Sequence, residues 1–332
     1  MIQRLSREQQ LIQDIFAPLA ADNPGAFGLH DDAALLTCDL DTDLVITKDA
    51  LVEDVHFYAD DPPDLIARKA LRVNLSDLAA KGAEPRHYLL SLALSERCDR
   101  TWIEKFAEGL AQDQAAYGCQ LMGGDTVSSR GSISMSITAI GTVPKGEMKR
   151  RHGAQAGHLI YVSGTVGDSL LGLKVRGGEL FHGPSTASDR AFLADRYLLP
   201  QPRVDFVPAI RRHASAAMDV SDGLVGDLEL LCAASGMSGE VDLTQVAFSP
   251  AARSILEGGL TTLEELVTGG DDYELLFTVP PNSVYAMEGA ARRLSAPISR
   301  IGRVISGSDA PSFFGEDGAL MTFEKPSYSH LD

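Results

Sequence analysis

The sequence predicts an α/β protein of two domains. Three observations carry that reading. The chain has 332 residues, enough for two cores of ordinary size. Strand-like and helix-like stretches alternate in both halves. A polar, basic segment between Pro144 and Gly157, PKGEMKRRHGAQAG, separates them. The domains are accordingly placed at 1–148 and 149–332.

In the first half, Leu44 to Thr47 reads as a strand entering KDALVEDVHF. Asp64, after Pro62 and Pro63, is expected to cap a helix that runs to a stop at Gly82. A further helix, about Thr101 to Tyr117, leads to a short strand ending in Gly123-Gly124. SISMSITAIGTVP then alternates Ile133, Met135 and Ile137 with serine and threonine, the pattern of a half-buried strand. In the second half the order is a strand at 158–163, a helix from about Asp168, the strand AAMDV, a helix at 223–235 ended by Gly236, the strand YELLFTVP and a helix ending near Leu294. The GGELFHGPSTASD loop at 177–189 is expected to stand outside the chemistry. The N-terminal stretch is amphipathic, with Ser6 and Gln9 spaced as a capping box.

Composition narrows the function. With 44% apolar and 23% charged residues the chain belongs among packed globular proteins. Its 29 Lys and Arg stand against 46 Asp and Glu, a net charge of −17, which leaves no basic stripe to follow a nucleic-acid backbone. Cys38, Cys98, Cys119 and Cys232 show no CxxC spacing and read as reduced core residues. No signal-peptide pattern or membrane-spanning apolar run is present, so the cytoplasm is the expected location.

The acidic residues gather at glycine-rich turns: GLHDDAA (28–34), TKDAL (47–51), NLSDLAAKGAEP (74–85), GGDTV (123–127), DVSDG (219–223) and GGDDYEL (269–275). A lone turn aspartate is ordinarily a turn former or a helix cap. Six such sites suit a hard cation that takes isolated carboxylates together with substrate phosphates, as magnesium does. Asp77 falls inside a predicted helix on the face of Ile66, Ala70, Val73 and Asn74. There it needs a partner, and both an ion pair with Lys81 and a metal satisfy that need. The eight histidines make no HxxxH or HExxH spacing, which disfavours zinc. Without GxxxxGK[ST], GxGxxG or an HRD and DFG set, neither a P-loop enzyme nor a protein kinase is supported.

GLHDDAA, NLSDLAAKGAEP, GGDTV, DVSDGL and GGDDYEL, in this order over nearly the whole chain, resemble bacterial thiamine-monophosphate kinase, within the superfamily of aminoimidazole ribonucleotide synthetase and selenophosphate synthetase. The resemblance implies a two-domain α/β (α+β) fold. Its N-terminal domain would bind ATP and magnesium and pair with a copy of itself in a dimeric β-barrel; its C-terminal domain is α/β, and both line a nucleotide cleft. The implied reaction is magnesium-dependent transfer of the ATP γ-phosphoryl group to thiamine phosphate. Carried over residue by residue, Asp32, Thr47, Asp49, Asp77, Asp125 and Asp219 resemble magnesium ligands, with Asp222 serving another ion. Gly124, Asp125, Arg151 and Ser221 resemble ATP contacts, and His56, Asp271 and Tyr328 resemble thiamine-phosphate contacts.

The chain departs from the family pattern twice. Lys48 stands where relatives carry threonine, and a charged ammonium cannot ligate. Asp271 stands where relatives can have glutamate. Several of these residues also have ordinary readings: His56 as a packed or surface histidine, Arg151 as part of the basic linker, Ser221 as a helix cap. Tyr117, eight residues before Asp125, reads as a core tyrosine or as a stacking partner for adenine.

The acceptor in this reaction is a phosphate already anionic at neutral pH, so no general base is required and none is assigned. Catalysis is expected to be electrostatic, by direct in-line transfer. The competing readings are a metal-dependent phosphohydrolase, suggested by HDD at 30–32, another ATP-dependent synthetase of the superfamily, and a non-catalytic nucleotide sensor. A selenophosphate synthetase would carry a reactive cysteine in an N-terminal glycine-rich loop, and no cysteine precedes Cys38.

Overall fold

The computed structural model describes residues 7–31, 33–180, 185–294 and 297–329. Asp32, Ser6 and part of the 177–189 loop lie outside the described residues. Two compact units emerge, one of residues 1–78 and 84–146, the other of 79–83 and 147–332.

The first unit opens with a short helix, α1 (Arg7–Leu11), and single helical turns to Leu29. It continues through β1 (Thr42–Val52), α2 (Pro63–Ala80), β2 (Glu84–Leu94), α3 (Arg100–Tyr117), β3 (Gln120–Ser128) and β4 (Ser134–Pro144). The strands form a four-stranded sheet in the order β1-β4-β2-β3. Only β2 and β3 run parallel. Among the described residues this sheet is open, with β1 and β3 as its edges, and no closed barrel forms within it.

Alternation decides its faces. Ile133, Met135 and Ile137 are buried, as are Tyr88, Leu90 and Leu92 on the neighbouring strand. The long helices are tied to this sheet and to each other by polar contacts. Asn74 in α2 accepts the Asp49 N–H at 3.1 Å, and Tyr88 on β2 donates its hydroxyl to Gln114 in α3 at 2.9 Å. Between α2 and α3, fully buried Asp113 accepts from Arg72 at 2.7 Å and from Arg68 at 3.1 Å.

Three sequence expectations are corrected here. Helix α2 starts at Pro63, so Asp64 sits in its first turn instead of capping it; proline is favoured there because its missing N–H would have no helical partner. Strand β3 does not end at the two glycines but continues to Ser128, paired with β2 apart from a bulge at Met122. Strand β2, absent from the sequence reading, lies between β4 and β3 and forms the parallel pair with β3.

The second unit runs β5 (Leu159–Ser163), α4 (Asp168–Arg176), α5 (Ala187–Leu198), α6 (Val207–His213), β6 (Ala216–Val220), α7 (Leu224–Ser235), β7 (Ser238–Asp242), α8 (Pro250–Glu257), α9 (Leu263–Thr268), β8 (Glu274–Val279), α10 (Val284–Leu294), β9 (Ile298–Ile305), β10 (Ser312–Phe314) and β11 (Leu320–Met321). Its seven strands are ordered β11-β10-β7-β9-β5-β8-β6. Although helices and strands alternate along the chain, all of its ladders but β7–β10 are antiparallel. Strands β6 and β8 are buried along their whole length, so most of their residues are apolar and the polar ones, Asp219, Glu274 and Thr278, are buried with them. One apolar cluster, including Val162, Met218, Leu228 and Ile301, packs α7 on the sheet; another, including Tyr161, Ile210, Phe277 and Met287, packs α6 and α10.

Candidate functional site

In the first unit, the Thr47 hydroxyl donates to the Asp77 carboxylate at 2.5 Å. Asp49 follows two residues along β1, so it points to the same side of the sheet as Thr47. All three are half-buried. Lys48, between them, points to the other face and donates its ammonium to the Ser136 hydroxyl at 2.5 Å. That alternation explains how a lysine is accommodated here: its charge is turned away from the Thr47, Asp49 and Asp77 group. Lys81, the proposed ion-pair partner of Asp77, donates to the Ala217 carbonyl at 3.1 Å.

Gly124 and Asp125 lie on β3, at the opposite edge of the sheet from Asp49. Three strand spacings separate the edges, roughly 14 Å in a flat sheet. The structure therefore does not bring Asp125 to the Thr47, Asp49 and Asp77 group. Instead Gly123, Gly124 and Asp125 line a cavity of about 610 Å³, with Asp31 and the apolar side chains of Ile12, Phe16, Leu121 and Met122. Gly124 is required there: a Cβ would stand 1.9 Å from the Leu90 carbonyl oxygen.

His56 lies on the turn after β1, where its Nδ1 accepts the Val52 N–H at 3.0 Å and its carbonyl accepts the Lys69 ammonium at 2.9 Å. Tyr117 ends α3 half-buried, with the Arg72 guanidinium 5.4 Å from its ring centroid. A cation over the ring is an attractive contact that fixes the side chain.

In the second unit, the residues singled out from the sequence meet around the start of α7. Asp219 is buried at the end of β6. The Ser221 carbonyl accepts the Asp271 N–H at 2.8 Å, and the Asp222 carbonyl accepts the Tyr328 N–H at 2.9 Å. Two distant loops and the C-terminal segment are thereby joined at one turn. Asp271 and Tyr273 hold left-handed backbone, φ 72° and 52°, and the Tyr273 hydroxyl donates to Asp271 at 3.2 Å. The alternative, ordinary reading of Ser221 as a helix cap does not hold. The N-cap of α7 is Gly223, which supplies no side-chain cap and has φ 124°.

Asp227, in the first turn of α7, was not singled out from the sequence. Its Oδ2 accepts the Ser221 N–H at 3.0 Å and the Asp222 N–H at 3.1 Å, which shapes the turn. Burial pushes its carboxyl up to about 7, the Asp222 charge adding to the rise and the two N–H bonds, then exposed Arg151, opposing it. The following loop is held in the same manner. Buried Asp272 accepts from Gly167 N–H at 2.7 Å and Ser169 N–H at 3.3 Å at the start of α4, and burial holds its carboxyl well above the usual range. Buried Glu274 takes guanidinium groups from Arg196 and Arg203.

Among the described residues, no three His, Cys, Asp or Glu side chains stand close enough to hold a metal by themselves. The donors present are carboxylate and hydroxyl oxygens in ones and twos. That set fits magnesium, which needs few protein ligands when phosphates and waters complete its shell, and does not fit zinc.

Comparison with known proteins gives this arrangement a context. Residues 30–143 match AIR synthase related protein, N-terminal domain, and residues 155–311 match AIR synthase related protein, C-terminal domain. Thiamine-monophosphate kinase of Caulobacter vibrioides is 42% identical over 306 residues, covering 91% of this chain and 85% of the relative. The crystal structure of thiamine-monophosphate kinase from Stenotrophomonas maltophilia K279a is 38% identical with a TM-score of 0.83, over 95% of this chain and 98% of that one. AaThiL complexed with AMPPCP and TMP is 29% identical with a TM-score of 0.75, over 99% of this chain and 100% of that one. Two matched domains in order, with identity sustained across both, mean that the chain belongs to the thiamine-monophosphate kinase family of AIR synthase related proteins.

Proposed function

We propose that this protein is a thiamine-phosphate kinase, transferring the γ-phosphoryl group of ATP to thiamine phosphate to give thiamine diphosphate and ADP. The observation that carries the reading is the likeness, over nearly the full length of both chains, to AaThiL complexed with AMPPCP, an analogue of ATP, and TMP. The identity to the Caulobacter relative supports the same reading.

The obstacle to such a reaction is repulsion between substrates. Two groups of charge −2 about 4 Å apart repel by roughly 15 kcal/mol at an effective dielectric of about 20, before screening. Magnesium, when bound, would neutralise phosphate charge and hold the reacting groups in line. Thr47, Asp49, Asp77, Asp125, Asp219 and Asp222 are the proposed ligands, with Asp32 added from the sequence.

The chain's own groups do the rest. The Thr47 hydroxyl orients the Asp77 carboxylate. Asp227 fixes the backbone of Ser221 and Asp222. Gly124, Asp125, Arg151, Ser221 and Tyr117 are the proposed ATP contacts, Arg151 offsetting nucleotide charge. His56, Asp271 and Tyr328 are the proposed thiamine-phosphate contacts. Residues 1–148 are proposed as the ATP, magnesium and dimerisation domain, and 149–332 as the second domain.

A homodimer in the cytoplasm completes the proposal. It is supported by the outer face of the four-stranded sheet, where Ile46, Leu89 and Val127 are exposed on alternate rows of the register. Pairing that face with its copy would close the barrel the family resemblance implies. No described helix is long and apolar enough to cross a membrane.

The test of the function is direct. Purified protein with ATP, Mg²⁺ and thiamine phosphate should form thiamine diphosphate and ADP in equal amounts. ADP with free phosphate and no thiamine diphosphate would indicate a hydrolase instead.

A further inference from the structure

We propose that the second unit carries a separate binding site for an organic oligophosphate of the nucleoside diphosphate type, on the face of α10 beside the end of α6. A cavity of about 500 Å³ opens there, lined by His213, Tyr285, Ala286, Gly289, Arg292 and Arg293. Its size falls within the usual range for small-molecule sites, about 300–1,000 Å³.

The helix itself builds the cavity. Positions 285, 289, 292 and 293 are spaced to share one face. Glycine at 289 leaves that face hollow, and the two arginine heads fold over the hollow: a Cβ placed on Gly289 would stand 3.5 Å from Arg293 Nη1 and 3.8 Å from Arg292 Nη2. Two guanidinium groups thus face one point. Among the described residues neither has a carboxylate partner, and no acidic side chain lines the cavity.

The surroundings have the same sign. The charges of Arg212, Arg293 and Lys149 all act on His213, which burial and these neighbours hold below its ordinary range. The nearby acid, Glu147, is engaged by Arg211 at 3.7 Å. Basic residues in the last turns of α6 and α10 complement the helix dipoles. That accounts for their positions along the helices but not for two unpaired cations converging over a glycine in a chain of net charge −17. An anion bridging both guanidinium groups does account for it, and arginine pairs match phosphate oxygens two at a time. Tyr285, 85% exposed at the other end of the cavity, offers an apolar ring on which a base can stack.

The proposal stands apart from the kinase reading, and its test omits both magnesium and thiamine phosphate. The full chain is titrated calorimetrically with inorganic pyrophosphate and with ADP in EDTA, where the acidic sites repel both. Wild type should bind both anions, more weakly as salt rises. The double variant Arg292→Ala/Arg293→Ala and the variant Gly289→Glu should each weaken that binding at least tenfold, with unchanged thermal unfolding and unchanged kinase turnover. Tyr285→Ala should weaken ADP severalfold and leave pyrophosphate unaltered. Absence of binding to wild type, or equal binding by the double variant, would overturn the site. ADP binding that ignores Tyr285→Ala would overturn the assignment to a nucleotide-type ligand.

Discussion

The carboxylate of Asp227 holds the backbone N–H of Ser221 and, through the same oxygen, that of Asp222. The turn carrying Ser221, a proposed ATP contact, and Asp222, a proposed magnesium ligand, is therefore shaped by a residue that faces inward. Asp227→Ala leaves two N–H groups without their acceptor, and should lower turnover about tenfold or more, as loss of groups that orient metal ligands does. Asp227→Asn retains an acceptor oxygen and should recover part of it. Equal activity in both variants and wild type would deny the residue a positioning role.

The Thr47, Asp49 and Asp77 group yields a second expectation. Asp49→Asn and Asp77→Asn should each reduce turnover by roughly a hundredfold. Circular dichroism and thermal unfolding should remain close to wild type, since these side chains are half-buried and oxygen donors persist in asparagine. Unfolding of both variants would make the group a structural one.

Gly124 supplies a steric test. A methyl group there meets the Leu90 carbonyl oxygen at 1.9 Å, so Gly124→Ala must displace β3 from β2. It should destabilise the first unit by about 1–3 kcal/mol and raise the KM for ATP by moving Asp125. A wild-type KM would show that the neighbouring carboxylate is not an ATP contact.

Much of this was legible in the sequence, and the gaps have physical causes. Alternation of Ile133, Met135 and Ile137 located β4, and the Gly236 stop marked the end of α7. The ligand candidates were legible as residues but not as a constellation: the placement of Asp49 and Asp125 on opposite edges depends on strand order, which local pattern does not encode. Lys48 looked like an obstacle to ligation until alternation along β1 turned it to the other face. Helix α5 was missed inside a loop of small and polar residues, although Thr186 and Asp189 form its capping box. Asp227 was missed because an acid in the run LVGDLELL looks like a surface position until the turn folds over it.

Burial of Asp272 makes stability depend on pH in a defined direction. Its carboxyl is raised in the folded state above the ordinary 3.8, chiefly by desolvation. The folded protein then binds this proton more tightly than the unfolded chain, so the group's contribution to stability is greatest below 3.8 and is lost as pH rises through the raised value. Asp272→Asn cannot ionise. Its melting temperature should fall less than that of wild type between pH 5 and pH 8, and parallel curves would contradict the assignment.

The transfer itself is tested most directly by following the γ-phosphoryl group. With ATP labelled at that position, Mg²⁺ and thiamine phosphate, all transferred label should appear in the terminal phosphoryl group of thiamine diphosphate and none on the protein after rapid quenching. Label recovered only as inorganic phosphate, or trapped on an aspartate or histidine, would contradict direct transfer between the two substrates.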